Sequence, residues 1–213
     1  MTALFLGFLH GLGPDHLMAI AALSVDGGGS LDSAARRARA LGVAVRFALG
    51  HALLLAVGAG LIVVIGWSIP APVERGGEML GGALLIVMGL VTLQHVRAHQ
   101  PPSAPGGLGR PGASHTHSHS HVPTILGAAF AVSSLRALAM LTPFGADLGT
   151  APLPLLVTLI AVFACGILVS MSLFGVALAR LLSMRALERI GHGAGALVGV
   201  SSVVLGVAWV LTA

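Results

Sequence analysis

Six stretches of this sequence, Ala3–Val25, Leu41–Trp67, Met79–Val96, Val122–Phe144, Pro152–Leu182 and Ile190–Leu211, are long and almost entirely apolar. About 20 such residues in helical form cross a hydrocarbon core, and only a structure that satisfies its own backbone hydrogen bonds is stable there. The expected fold is therefore all-α: a polytopic membrane protein with six transmembrane helices. Composition agrees, since 8% of residues are charged where a soluble domain has about 25%. Six spans use up most of 213 residues, which leaves no room for a separate soluble catalytic domain. The formal charge of +4 comes from arginines spread between spans, so it reads as a topology signal and not as a nucleic-acid surface. The first stretch is not expected to be a cleaved leader, because no Lys or Arg precedes it and His10, Asp15 and His16 lie within it.

Arg36, Arg37 and Arg39 fall in the first connection, Arg97 and Arg110 in the third, and Arg180, Arg185 and Arg189 in the fifth; the even-numbered connections carry only Arg75. The positive-inside rule places the odd connections in the cytoplasm and both termini outside. The chain divides into a first three-helix half (1–96), a Pro-, Gly-, Ser- and His-rich cytoplasmic loop (97–121) expected to be disordered, and a second three-helix half (122–213). Short echoes link the halves. Phe47-Ala48-Leu49-Gly50 returns as Phe163-Ala164-Cys165-Gly166, Glu74-Arg75 as Glu188-Arg189, and Gly82 and Gly89 as Gly199 and Gly206. Three spans per half would make the halves inverted with respect to each other, a common plan of secondary transporters.

Ionisable groups at bilayer depth are costly and rare, so each one is a candidate for function. The first stretch places His10, Asp15 and His16 within seven residues. On an unbroken helix Asp15 and His16 would lie about 140° and 240° around the axis from His10, on different faces. Gly11, Gly13 and Pro14 offer a way out, since glycine tolerates unusual backbone angles and proline suits the first turn of a new helix. A discontinuous first helix is expected, with freed carbonyls pointing their negative ends at a cation. The second stretch adds Arg46 and His51. Three imidazoles and one carboxylate suit Ni, Co, Zn or Cu better than Mg or Ca, which prefer oxygen shells. Interhelical hydrogen bonding is the plainer role for such histidines, His51 above all.

The loop alternates histidine with small residues at His115, His117, His119 and His121; flexible imidazoles of this kind collect divalent metals loosely, or simply form a solvated linker. Arg46, Ser133 and Arg136 are candidates to support the site from behind its ligands, or to tether helices. The single cysteine, Cys165, excludes an internal disulfide and a multi-thiolate site.

The segment His10 to His16 resembles the signature His-x-x-Asp-x-Asp-His of the nickel/cobalt transporter superfamily, the NiCoT and NicO groups, with His10, Asp15 and His16 in matching places. Phe47-Ala48-Leu49-Gly50-His51 is similar to that family's Phe-x-x-Gly-His motif, and the stretch Phe163 to Leu178 is similar to the fifth-helix region of NicO-type members. Gly13 stands where the signature has its first aspartate. The resemblance implies no enzyme activity and no resident cofactor. It implies a multi-pass protein of the bacterial cytoplasmic (inner) membrane that moves Ni²⁺ or Co²⁺, with Zn²⁺ or Cu²⁺ behind them, alone, as a homo-oligomer or with a partner subunit. No phosphate-binding G-x-x-x-x-G-K-[ST] motif is present, so a gradient, for instance of protons, would supply the energy. Two other classes remain open at this point: an intramembrane zinc-dependent hydrolase using the same His and Asp, and a small-anion exporter using Arg46 and Arg136.

Overall fold

The computed structural model describes residues 1–25, 33–65, 70–98, 121–134, 153–182 and 185–213. Among these there are seven helices and no strand: α1 (Thr2–Gly11), α2 (Pro14–Val25), α3 (Ser33–Ile65), α4 (Ala71–Ala98), α5 (Val122–Ser133), α6 (Leu153–Leu182) and α7 (Arg185–Thr212). Four of them contain segments long and apolar enough to cross a membrane: Arg37–Leu61, Ala71–Arg97, Leu153–Arg180 and Gly193–Thr212. A fifth such span is formed if α1 and α2 are taken together, as a pair bent by 50°. The described part of the expected fourth span is shorter, because α5 ends at Ser133; the remainder of that stretch, with Arg136, lies outside the described residues, as do 99–120 of the loop.

Several helices begin earlier than the apolar runs suggest. The helix α3 starts at Ser33 and not Leu41, and α4 at Ala71 and not Met79. The added N-terminal turns carry the charges, with Arg37, Arg39 and Arg75 exposed, so hydropathy located the apolar part of each helix and missed its charged end.

Large apolar side chains cover much of the surface, and a set of polar ones is inside. Leu53, Ile125, Leu197 and Val204 are largely exposed, whereas Asp15, His16, His51, Ser134, Ser170 and Ser202 are buried. A soluble protein shows the opposite arrangement, and this one fits a hydrocarbon surround. The core is built of alanines with a few large side chains, among them Phe47, Phe130, Phe163, Ile167 and Met171.

Close helix approach comes from glycines facing carbonyls. The α1 residue Gly7 lies against the Phe163 carbonyl of α6, while Gly127 of α5 lies against the Phe47 carbonyl of α3. Between α4 and α7, an added Cβ on Gly89 would stand 2.6 Å from the Gly199 oxygen, and one on Gly82 would stand 2.8 Å from that of Gly206. Small residues at such crossings let backbones meet and gain dispersion contact where no hydrophobic driving force exists between helices.

Candidate metal centre

The break in the first helix is local chemistry. The amide of Leu12 donates to the Leu9 carbonyl and that of Gly13 to the His10 carbonyl, 3.1 and 2.9 Å, a tight turn that ends α1. The next helix starts on Pro14, whose missing N–H would have had no intrahelical acceptor in that position. Asp15 sits in the first turn of α2, where a carboxylate faces the positive end of the helix. His10 thus belongs to the last turn of one helix and His16 to the first turns of another.

Into this corner α3 brings His51, fully buried. One nitrogen from each of His10, His16 and His51 lies within 4.8 Å of the other two. The Nε2 atoms of His10 and His51 are 3.3 Å apart. Two nitrogens held about 2.05 Å from one tetrahedral ion are about 3.3 Å apart, so this pair already has the separation of a ligand edge. His51 Nδ1 donates to the Gly127 carbonyl at 3.2 Å. That hydrogen bond fixes the tautomer and leaves Nε2 with its lone pair toward His10, the usual support of a metal-binding imidazole from behind.

The walls are aromatic. Phe47 stacks on His51 with ring centroids 6.3 Å apart and an interplanar angle of 8°, and Phe163 stacks on His10 at 5.9 Å. Phe130 lies 6.4 Å from His16. Such walls exclude water and strengthen whatever electrostatics act inside.

Of the four residues singled out by the sequence, the structure brings the three imidazoles together and sets the Asp15 carboxylate beside one of them, with Oδ1 3.0 Å from His16 Nδ1. Asp15 and His16 are each 2% exposed. Among the described residues neither Asp15 Oδ2 nor His16 Nδ1 has a hydrogen-bond partner, and buried polar atoms left in that condition ask for an ion or a proton. The supporting residues are placed differently from expectation. Ser133 turns its hydroxyl to the Phe130 carbonyl, 2.7 Å away. Its neighbour Ser134 is the one that touches the cluster, with Oγ 3.3 Å from His16 Nε2. Arg46 is exposed on α3. Arg136, His115, His117 and His119 lie outside the described residues, and His121 is exposed immediately before α5. Cys165 is exposed on α6.

The sequence does not single out Ser134, Phe130 or Phe163 as parts of the site. A signal for Phe163 was present, because it occupies the place of Phe47 in the repeated Phe-Ala-x-Gly segment. For Ser134 no such signal exists, since only the packing of α5 against α3 selects it over Ser133. No protein family, no curated protein and no solved structure matches this chain.

Proposed function

We propose that this chain is a secondary transporter that carries a divalent transition-metal cation, Ni²⁺ or Co²⁺, across the bacterial cytoplasmic membrane. The observation that carries this reading is the cluster of three imidazoles within 4.8 Å, with a buried carboxylate beside it, inside a bundle whose outer face is apolar. Imidazole and carboxylate together favour this class of ion. The helix break at Leu12 and Gly13 fits the plan in which discontinuous helices form the ion site at the bilayer midplane. Neutral imidazoles bind metal and protonated ones do not, so a proton gradient is a natural partner for the ion.

The same reading takes the two halves as a 3+3 inverted repeat with six spans and both termini outside. Three pairs of contacts support the repeat. Gly7 against Phe163 corresponds to Gly127 against Phe47, and Gly166 against Leu4 corresponds to Gly50 against Thr124. Gly82 against Gly206 corresponds to Gly199 against Gly89. The last pair means that α4 and α7 cross antiparallel about a common centre, which is what a two-fold axis in the membrane plane produces. The anion-exporter reading rests on Arg46 and Arg136, of which Arg46 is exposed on α3 and Arg136 lies outside the described residues.

The test is metal flux in proteoliposomes, reported by an enclosed metal-sensitive dye, with a pH gradient imposed in either direction. His16→Ala is expected to abolish flux of Ni²⁺ and Co²⁺ while the protein keeps its helical circular dichroism and its elution volume. Wild-type flux in that variant overturns the site, and absence of metal flux in the native protein under both gradients overturns the function.

A further inference from the structure

Beside the cluster, one face of His16 poses a hydrogen-bonding problem that the proposed function does not use. The Ser134 hydroxyl donates to the Phe130 carbonyl at 3.1 Å, which leaves its oxygen as an acceptor for His16 Nε2, 3.3 Å away. A neutral imidazole carries one N–H. With that proton on Nε2, His16 Nδ1 is a bare lone pair, and it stands 3.0 Å from Asp15 Oδ1 without hydrogen-bond geometry. Two buried acceptors side by side repel unless a proton or a cation lies between them, and among the described residues His16 Nδ1 has no hydrogen-bond geometry for a shared proton. Two donors about 2.1 Å from one ion lie about 3.0 Å apart at a ligand angle of about 90° and about 3.4 Å apart at about 109°, so this pair and the His10–His51 pair, 3.3 Å apart, both have separations found at ligand edges.

We infer that His16 meets the metal ion through Nδ1, side by side with Asp15 Oδ1, and that Ser134 and Gly13 are the positioning residues that hold this chelate. The inference rests on the site proposed above and specifies how it is loaded. Ser134 acts by taking the Nε2 proton. Gly13 acts by having no side chain: a Cβ there would stand 2.6 Å from Asp15 Oδ1, 2.7 Å from His16 Nδ1 and 3.2 Å from the His10 carbonyl oxygen. The backbone at Gly13 is not in the left-handed region, so alanine is resisted there only by the atoms its methyl would push aside. Those atoms are the two donors of the chelate. Adjacent residues on a helix point about 100° apart, and the pair converges at this point because it occupies the first turn of α2, directly after the break.

The experiment uses the full chain in detergent micelles, labelled with ¹⁵N-histidine and titrated with Zn²⁺ as a diamagnetic probe. His16, assigned by the signals lost in His16→Gln, is expected to show its proton on Nε2 before addition and a metal-shifted Nδ1 after it. Ser134→Ala is expected to lower Zn²⁺ affinity by about ten- to hundredfold, the usual effect of removing such a support, and Ser134→Thr to restore it. Gly13→Ala is expected to lower affinity by roughly tenfold in the native background and by less than about threefold when Asp15 is already alanine, since neighbours acting through one another are not additive. Metal on Nε2 of His16, or an equal loss from Gly13→Ala in both backgrounds, overturns the inference. If His10→Ala and His51→Ala lose binding while Gly13→Ala and Ser134→Ala keep it, this inference fails and the transport site stands. If His10→Ala and His51→Ala bind as the native protein does, the site itself fails.

Discussion

The carbonyl of Gly127 connects the packing of the bundle to its chemistry, and Gly127→Ala is the sharpest way to test that connection. The new methyl would fall on the Phe47 carbonyl oxygen, closer than any real contact. The obstacle is backbone, so it cannot rotate aside, and restoring an ordinary contact of 3.4 Å or more requires α5 to withdraw from α3 by about 1 Å or more. Overpacking of this kind costs about 1–3 kcal/mol. The same movement lengthens the bond from His51 Nδ1 to the Gly127 oxygen, now 3.2 Å, beyond the range in which a hydrogen bond acts. A lost hydrogen bond adds about 1 kcal/mol. Freed from it, the His51 ring no longer has a fixed tautomer, and loss of such support lowers metal affinity by about ten- to hundredfold. Thermal unfolding in detergent and a Co²⁺ titration followed by its visible absorption measure the two effects on one sample. Gly60→Ala on α3 is the control, since none of the described residues lies within 4 Å of a Cβ there; it should bind normally and gain up to about 1 kcal/mol in helix propensity. Native affinity and an unchanged midpoint in Gly127→Ala would refute the reasoning. So would an equal loss in Gly60→Ala.

Two further substitutions separate packing from ligation. Phe130 is fully buried against Phe47, with ring centroids 5.6 Å apart, so Phe130→Ala should cost about 3–5 kcal/mol in a denaturation midpoint, and Phe130→Leu clearly less. Ser202 buries its hydroxyl in α7 without a hydrogen-bond partner among the described residues; Ser202→Ala should therefore leave the midpoint unchanged or raise it, because a desolvated polar group is removed.

What the sequence disclosed, and what it did not, follows from the range of the forces involved. The break between α1 and α2 was legible because its causes are local: two glycines, a proline and a carboxylate within five residues decide the backbone by themselves. The convergence of His10, His16 and His51 was half legible. Burial cost identified which groups matter, but their distances depend on how α3 lies against the break, and that depends on glycine-to-carbonyl contacts between distant segments. The choice of Ser134 over Ser133 was not legible at all. Both residues are buried and both bond to the Phe130 carbonyl, and one residue of rotation on α5 decides which hydroxyl reaches His16. The exposure of Arg46 on α3 was not legible for a similar reason: charge in a span says that a side chain needs a partner and nothing about which face of the helix provides it.

On the proposed repeat, the two halves contribute unequally to the site. Aligning Leu4 and Gly7 with Thr124 and Gly127 sets Phe130 in the place of His10, and aligning Phe47 and Gly50 with Phe163 and Gly166 sets Ile167 in the place of His51. Both substitutes are fully buried. Where the first half offers nitrogen donors, the second offers hydrocarbon, together with the Gly127 carbonyl and the Ser134 hydroxyl that steady two of the rings. A second, symmetry-related ion site is thereby removed, because two of its donors are absent. An ion held by the first half and braced by the second has its binding geometry sensitive to any movement between them. Under the proposed transport cycle, rocking the halves would strain the contacts at Gly127 and Ser134 and weaken the site without moving a ligand out of its own helix. On the proposed reading, the asymmetry of the repeat would be the means by which a motion of whole helices becomes a change in affinity for one ion.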